Sequence, residues 1–223
     1  MFYSPLLMIF MLVFFLLLIF LFAILQVGVI GLAFAKLGLP PQYLFGLLLA
    51  TLLGSMVNIP IGQLNSEELV HDEVVSCFGM RYRVPKVVRP QKTVLAINVG
   101  GALIPLLISI YLIMKIHQIW LPVLVTGIVA LVSNRLARPV EGMGIAIPAL
   151  VPPLIAAVGA IIFAPVEIRA PIAYIAGTLG TLIGADLLKI KQLRNVRAPV
   201  ASIGGAGTFD GVFLSGIIAV LIS

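Results

Sequence analysis

Seven long apolar segments, separated by short polar or basic stretches, dominate the hydrophobic pattern of the chain. The first is the most uniform, because residues 6–25 form an uninterrupted run of uncharged, mostly apolar positions. A helix of about 20 such residues crosses the roughly 30 Å hydrocarbon layer of a bilayer. We therefore predict transmembrane spans at about 5–34, 42–61, 94–114, 119–133, 144–164, 170–188 and 207–223.

Residues 63–92 form the substantial polar insert of the chain, between the second and third predicted spans. Asn65-Ser-Glu-Glu68 has the pattern of a helix start, with Asn65 as the cap and Glu68 at the third helical position. Residues 78–84 then alternate apolar and polar side chains, which is typical of a strand. The predicted fold class is all-α: one polytopic transmembrane bundle over 1–223, with a small α/β insert at the cytoplasmic surface.

Composition supports the membrane interpretation and gives it an orientation. The chain is 61% hydrophobic and 10% charged, whereas soluble domains carry about 25% charged residues. If the spans alternate, the loops 62–93, 134–143 and 189–206 share one side and hold eleven of the fourteen Lys and Arg residues. Such an excess marks the cytoplasmic side, so we predict an integral plasma-membrane protein with its N-terminus inside, its C-terminus outside and lipids as partners.

The same pattern excludes several other classes of protein. The net charge of +6 does not indicate nucleic-acid binding, because the basic residues cluster in loops between apolar segments. A single cysteine, Cys77, excludes an internal disulfide framework. No phosphate-binding loop, nucleophile elbow or zinc-protease motif is present, and we predict neither a cofactor nor a metal.

Proline and glycine interrupt the third to sixth segments, at Gly100, Gly101, Pro105, Pro122, Pro148, Pro152 and Pro153. Non-helical backbone at membrane depth is tolerated only where protein buries it or where it lines a wet cavity. The interruptions predict either an interior site or pathway, or helix kinks that serve packing alone.

Two aspartates stand out because so few acidic residues occur in the apolar segments. Asp186 lies at the predicted cytoplasmic end of span six and Asp210 at the start of span seven. An aspartate within a membrane helix costs about 2.5–3.5 kcal/mol on insertion scales and is a functional-site hypothesis. Two close carboxylates in a low dielectric share one proton, and such a pair can activate water and protonate a carbonyl oxygen. Alternatively, Asp186 pairs with loop cations (Lys189, Arg194 or Arg197), and Asp210 is favoured by the dipole of the following helix.

Small residues recur at every fourth position near both aspartates and permit close helix packing. They are Ala176, Gly180 and Gly184 in span six, and Gly207, Gly211, Ser215 and Ala219 in span seven. At about 100° per residue, Asp186 points away from the face that carries Gly184. Facing carboxylates therefore require either a distorted end of span six or stripes that pack on other helices.

The two aspartate positions resemble those of presenilin-like and signal-peptide-peptidase-like intramembrane proteases. Those families carry one Asp near the cytoplasmic end of a sixth helix and another, in a Gly-x-Gly-Asp motif, at the start of a seventh. Here the second run is Gly207-Thr-Phe-Asp210-Gly211, Ala185 precedes the first aspartate, and Pro148-Ala149-Leu150 matches a triplet that those families place after both aspartates. The whole chain also looks similar to an uncharacterised family of prokaryotic multi-spanning membrane proteins.

This resemblance implies an intramembrane aspartyl peptidase, a hydrolase acting on membrane-embedded peptide segments, with Asp186 and Asp210 as catalytic residues. It further implies that substrate is positioned by Pro148, Ala149 and Leu150 and by the glycines Gly204, Gly205, Gly207 and Gly211. Two other functions stay open from the residues alone. One is a proton- or ion-coupled transporter or channel with titrating aspartates, and the other is a non-enzymatic membrane assembly protein.

Overall fold

The computed structural model describes residues 5–66, 73–77, 80–84, 91–140, 144–195, 200–205 and 211–223. Its helices are α1 (Pro5–Lys36), α2 (Leu44–Ser55), α3 (Ile104–Lys115), α4 (Trp120–Leu136), α5 (Val151–Phe163), α6 (Val166–Thr181) and α7 (Gly211–Ile222). Its strands are β1 (Asn58–Ser66), β2 (Glu73–Cys77), β3 (Met80–Val84), β4 (Gln91–Asn98), β5 (Arg138–Val140), β6 (Gly144–Ala146) and β7 (Val200–Ile203). Two π-helical turns, Val99–Leu103 and Leu182–Leu187, precede α3 and follow α6.

Helix α6 is the centre of the bundle and contacts α3, α4, α5 and α7. All of residues 172–178 are buried. Small residues let the neighbouring helices approach closely. A Cβ added to Gly180 would lie 2.6 Å from Cβ of Val129 in α4, and one added to Gly177 would lie 2.9 Å from the carbonyl oxygen of Ser215 in α7. Small residues of α6 therefore let α4 and α7 pack closely against its backbone, as the stripes of small residues predicted.

The helical character predicted from the apolar segments is confirmed, and the structure adds a small sheet that the all-α fold class does not include. A sheet of order β1-β4-β7 lies at one end of the bundle, with β1 antiparallel and β7 parallel to β4. Residues 94–98, predicted as the start of span three, form the end of β4. A short apolar run fits a buried strand as well as a helix, and here the strand pairs on both edges while the helical part begins only at Val99.

The predicted helix start in the polar insert is wrong for its described residues. Asn65 pairs with Lys92 and Ser66 pairs with Gln91 in the antiparallel β1–β4 ladder, and Glu68 lies outside the described residues. The backbone pairing of β1 with β4 is favoured here over the helix start that the local capping pattern predicts. The strand prediction for residues 78–84 is confirmed for Met80–Val84, which forms the hairpin β2–β3 with Glu73–Cys77.

Most of the prolines predicted to interrupt spans instead lie in the first turns of helices. Pro105 is the second residue of α3, Pro122 the third of α4, and Pro152 and Pro153 the second and third of α5. Proline is well tolerated at the starts of α4 and α5, since the first backbone N–H groups of a helix have no intrahelical acceptor, whereas Pro105 directly follows the π-turn Val99–Leu103. Helices α3 and α5, with 12 and 13 residues, are shorter than the predicted spans 94–114 and 144–164, whereas α4, with 17 residues, is not shorter than the predicted span 119–133.

Two of the described helices are long and apolar enough to cross a membrane. They are Met8–Lys36, with 29 residues, and Val166–Leu187, which is α6 together with its π-turn and has 22 residues. The remaining apolar helices have 10–17 residues. At 1.5 Å per residue, even 17 residues reach only about 25 Å, less than the roughly 30 Å of a hydrocarbon layer.

The bundle has two chemically different ends. At one, here called the turn end, Lys36 Nζ donates to the carbonyl oxygen of Val220, and Lys115 Nζ donates to that of Gly38. At the other, here called the sheet end, β6 and β7 contact the π-turn of α6. The cations whose side chains are described are unevenly divided: Lys36, Lys115 and Arg169 lie at the turn end, and Arg135, Arg138, Lys189 and Lys191 lie at the sheet end.

Candidate functional site

Asp186 lies in the π-helical turn that ends α6 at the sheet end. The turn is shown by the backbone bond from Leu188 N to Ile183 O, at 2.9 Å, which joins residues five positions apart. Gly184, within the turn, packs so closely on α4 that an added Cβ would overlap the carbonyl oxygen of Ala130 and lie 2.7 Å from Cβ of Ser133. The backbone of the turn is thus pressed against α4, and π-turns of this kind are frequent at functional sites.

The π-turn changes where Asp186 points. Thr181, in the last α-helical turn, faces α7, because its Oγ1 lies 3.2 Å from Oγ of Ser215. Asp186 lies five positions after Thr181, within a π-turn that contacts α4, β6 and β7. Gly180 and Gly184 pack instead on α4. Of the two alternatives given for facing carboxylates, a distorted end of span six and a stripe that packs on another helix, the structure of α6 has both.

The half-buried Asp186 side chain is bound to the turn that follows β7. Its Oδ2 accepts a hydrogen bond of 2.8 Å from the backbone N–H of Gly204. Gly204 and Gly205 have φ of 81° and 87°, a region that non-glycine residues rarely adopt. A Cβ on Gly204 would also lie only 2.7 Å from N of Ala102. Both glycines therefore hold a turn that only this residue type permits, and Asp186 fixes its position.

The other predicted site residues are placed unevenly. Gly207 and Asp210 lie outside the described residues, and Gly211 is the first residue of α7. The predicted approach of Asp210 to Asp186 thus remains a prediction. The chain nevertheless leads from Gly205, next to the Asp186 contact, to Gly211 at the start of α7 within six positions.

Pro148, Ala149 and Leu150 form an exposed turn directly before α5. The turn is closed by a bond of 3.2 Å from Val151 N to Pro148 O. The strand before it, β6, contacts the π-turn of α6. The triplet therefore lies at the sheet end, the same end of the bundle as Asp186, although no contact between the two is described.

A buried amide network joins this site to the sheet. Asn98 is 1% exposed, and its Nδ2 donates to the carbonyl oxygen of Ser55, at 2.7 Å, and to Oδ1 of Asn58, at 3.1 Å. Its Oδ1 accepts from Gly101 N at 2.7 Å, which caps the first π-turn. Ser202 in β7 donates to Asn58 Oδ1 at 2.6 Å. Because every one of these groups is paired, the network serves the junction between strands and helices.

The glycine break before α3 also has a packing explanation. A Cβ on Gly100 would overlap the backbone of Thr51 and Ser55 in α2. Helix packing, rather than an interior site or pathway, therefore explains the interruption at Gly100. The link from Asn98 through Asn58 to Ser202 has no local sequence signal.

These features define a class: a helical bundle with two candidate membrane spans and a half-buried aspartate at the junction of bundle and sheet. The chain belongs to a family described as "Protein of unknown function (DUF1614)", which matches residues 52–222. The match begins within α2 and includes the sheet, both aspartates and α3–α7, whereas α1 lies outside it. No curated protein and no solved structure matches the chain.

Proposed function

We propose that this chain is an integral membrane protein of about seven spans and that Asp186 and Asp210 form the catalytic pair of an intramembrane aspartyl peptidase. The observation that carries the peptidase proposal is the hydrogen bond from Gly204 N–H to Asp186 Oδ2. It fixes the carboxylate against the loop whose continuation holds Asp210, at one end of the bundle. A carboxylate that orders such a loop is placed to share a proton or a water with a second one.

Membrane insertion is supported by α1 and by the two-ended charge distribution. Residues 8–29 of α1 are exposed around the whole helix circumference, with apolar side chains on every face. A helix that is apolar on all sides requires either a protein interior or lipid around it. Lipid supplies that environment for α1, and the basic sheet end then faces the cytoplasm, in keeping with the excess of positive charge there.

The shorter helices fit a membrane if paired strands supply part of the depth. Residues 94–98 of β4 are flanked by β1 on one edge and are paired with β7 on the other. Extended backbone with its polar groups satisfied inside the protein is tolerated at membrane depth. In this arrangement Asp186 lies on the membrane side of the sheet, at the level where the apolar helices meet the polar cytoplasmic end of the protein.

The proposed chemistry needs only the two carboxyl groups and water. The ionised carboxylate takes a proton from a water bound between them, and the water oxygen attacks the peptide carbonyl carbon. The protonated carboxylic acid gives its proton to the carbonyl oxygen, and the tetrahedral intermediate then releases the amine with a proton returned to nitrogen. Substrate would enter as an extended segment next to the Gly204–Gly205 turn and the Pro148–Leu150 triplet.

The test uses Asp186→Asn and Asp210→Asn in the full chain, reconstituted with a set of transmembrane peptides whose fragments are identified by mass spectrometry. Asparagine keeps an oxygen that accepts the Gly204 N–H but has no ionisable carboxyl, so folding should persist while cleavage is lost. Glu167→Gln is the matched control, since it removes one exposed acid at the turn end. Cleavage by both asparagine variants at the wild-type rate rules out the pair as catalytic residues.

A second function, proton- or ion-coupled transport, is favoured by one observation. Asp186 lies within the π-turn that ends one of the two helices long enough to span a membrane, and acidic groups within membrane helices and irregular helix ends are common at ion sites of transporters. It predicts pH-dependent flux in proteoliposomes that Asp186→Asn abolishes in the absence of any peptide cleavage. Flux that the substitution leaves unaltered eliminates this alternative.

A further inference from the structure

An open apolar cleft of about 750 Å³ separates α2 from α3 on the flank of the bundle. Leu47, Leu107 and Ile108 line its wall, and Tyr43 and Tyr111 lie toward the turn end. This volume is within the roughly 300–1,000 Å³ typical of small-molecule pockets. The cleft is on the opposite half of the molecule from Asp186 and plays no part in the proposed peptidase chemistry.

The cleft opens because α2 and α3 approach each other at only one end. At the sheet end, a Cβ added to Gly54 of α2 would lie 3.0 Å from N of Gly100, just before α3. Toward the turn end the helices leave the space bordered by Leu39 and Gly46. The result is a wedge whose narrow end is closed by backbone contact and whose wide end reaches the turn end.

The wide end carries a cation. Lys115 Nζ lies 4.8 Å from the centre of the Tyr111 ring, which lines the cleft, and 3.4 Å from the carbonyl oxygen of Gly38. The Gln42 amide also lines the cleft at this end. An apolar wedge with an ammonium group, an amide and two phenols at its wide end is complementary to an amphiphile with an anionic head.

We propose that this cleft binds one acyl chain of an anionic phospholipid, with the chain between α2 and α3 and the phosphate at Lys115. The proposal rests on the membrane placement of the bundle and is independent of the catalytic role of the aspartates. Tyrosines at the level of lipid head groups and lysines that reach the interface are usual in membrane proteins. Here the tyrosines and Lys115 lie at the mouth of a cleft with an apolar interior, so the polar mouth matches the lipid head group and the interior matches the acyl chain.

Gly46→Leu tests the chain-binding part of the proposal without disturbing the fold. Gly46 lines the cleft, and an added Cβ would have no atom within 4 Å, so the leucine side chain can occupy the space assigned to the acyl chain. Gly127→Leu in α4 is the matched control, because that position is also exposed and open but lies away from the cleft.

The measurement is native mass spectrometry of the detergent-purified full chain titrated with phosphatidylglycerol or phosphatidylcholine. We expect one retained phosphatidylglycerol in the wild type, binding about tenfold weaker in Gly46→Leu, and unchanged binding in Gly127→Leu. Lys115→Gln should bring phosphatidylglycerol down to the level of phosphatidylcholine. Equal binding by the wild type and Gly46→Leu, or equal losses in the two leucine variants, overturns the proposal.

Cell fractionation separates this failure from a failure of the membrane placement. A chain recovered in the detergent-free soluble fraction refutes both the membrane placement and the lipid site. A chain that is extracted only by detergent, and in which Gly46→Leu still binds lipid normally, refutes the cleft assignment alone.

Discussion

The two helices long enough to cross a membrane, α1 and the α6 segment, differ in almost everything except length. None of the apolar window that marks α1 is buried in protein, whereas 67% of the corresponding window of α6 is buried. Helix α1 consists largely of Leu, Phe and Ile, whereas α6 buries Tyr174, Thr178 and Thr181 among its apolar residues. The less apolar of the two helices is therefore the one at the centre of the fold.

The difference shows that hydropathy and packing are separate properties of a helix. Large apolar side chains on every face suit a helix for lipid but give it no close partner. Glycine and threonine at four-residue spacing lower the hydropathy of the α6 segment, and its glycines let two helices, α4 and α7, approach its backbone closely. The candidate site and the family match both include α6, and the family match leaves α1 out.

The largest expected effect comes from the same substitution in each helix, Gly184→Leu and Gly28→Leu. A side chain at Gly184 would overlap the backbone of Ala130, whereas one at Gly28 has no atom within 4 Å. Overpacking against side chains typically costs about 1–3 kcal/mol, and rigid backbone places Gly184→Leu at about 3 kcal/mol or more. Gly28→Leu should stay within about 0.5 kcal/mol of the wild type.

Thermal unfolding in detergent, followed by circular dichroism, measures both variants of this first pair. Equal melting temperatures for Gly184→Leu and Gly28→Leu would contradict the distinction between the exposed helix α1 and the packed α6 segment.

The next effect compares two glycines with positive φ, Gly204 beside Asp186 and Gly38 at the end of α1. Their φ angles are 81° and 66°, so alanine is strained at both, by about 1–2 kcal/mol. At Gly204 the new Cβ would also crowd Ala102, at 2.6 Å from its Cβ, whereas at Gly38 it has open space. We expect Gly204→Ala to be more destabilising than Gly38→Ala by about 1–3 kcal/mol.

The variants Gly204→Ala and Gly38→Ala also test the proposed function. Because Gly204 N–H binds Asp186, Gly204→Ala should also reduce peptide cleavage, while Gly38→Ala should leave cleavage at the wild-type rate. Matching melting temperatures and matching cleavage in the two variants would show that the turn after β7 is not specially constrained.

The apolar segments predicted the helices well because their signal is local. Long runs such as residues 6–25 admit one structure, and each predicted span contains a helix of the described structure. The hydrophobic pattern did not predict the strands of the sheet, because the side chains of β4 are as apolar as those of a predicted span. Its partners β1 and β7 lie about 30 residues before it and about 100 after it, and a single sequence gives no pairing signal at those separations.

The candidate site was also predictable only in part, because some of its signals are local in the sequence and others depend on distant residues. Asp186 was identified from its cost in an apolar segment, and the need for a distorted helix end followed from helix geometry. Its contact with Gly204 depends on the parallel pairing of β7 with β4, which carries the turn beneath α6. Only the tertiary fold contains that information, since the residues are 18 positions apart in separate elements.

The smallest expected effect concerns the contact that ties α1 to the bundle near its C-terminal end. Lys36 Nζ donates to the carbonyl oxygens of Val220 and Leu221, at 3.2 and 3.3 Å, in the last turn of α7. A lysine there satisfies carbonyls that lack an intrahelical donor and complements the helix dipole. Lys36→Met should cost about 0.5–1.5 kcal/mol, and Lys36→Arg should restore most of it. Hydrogen exchange measures where the effect occurs. Faster exchange confined to the end of α7 in Lys36→Met supports an anchoring contact. An unchanged exchange pattern means that the buried residues Ala33, Phe34 and Leu37 hold α1 without the lysine.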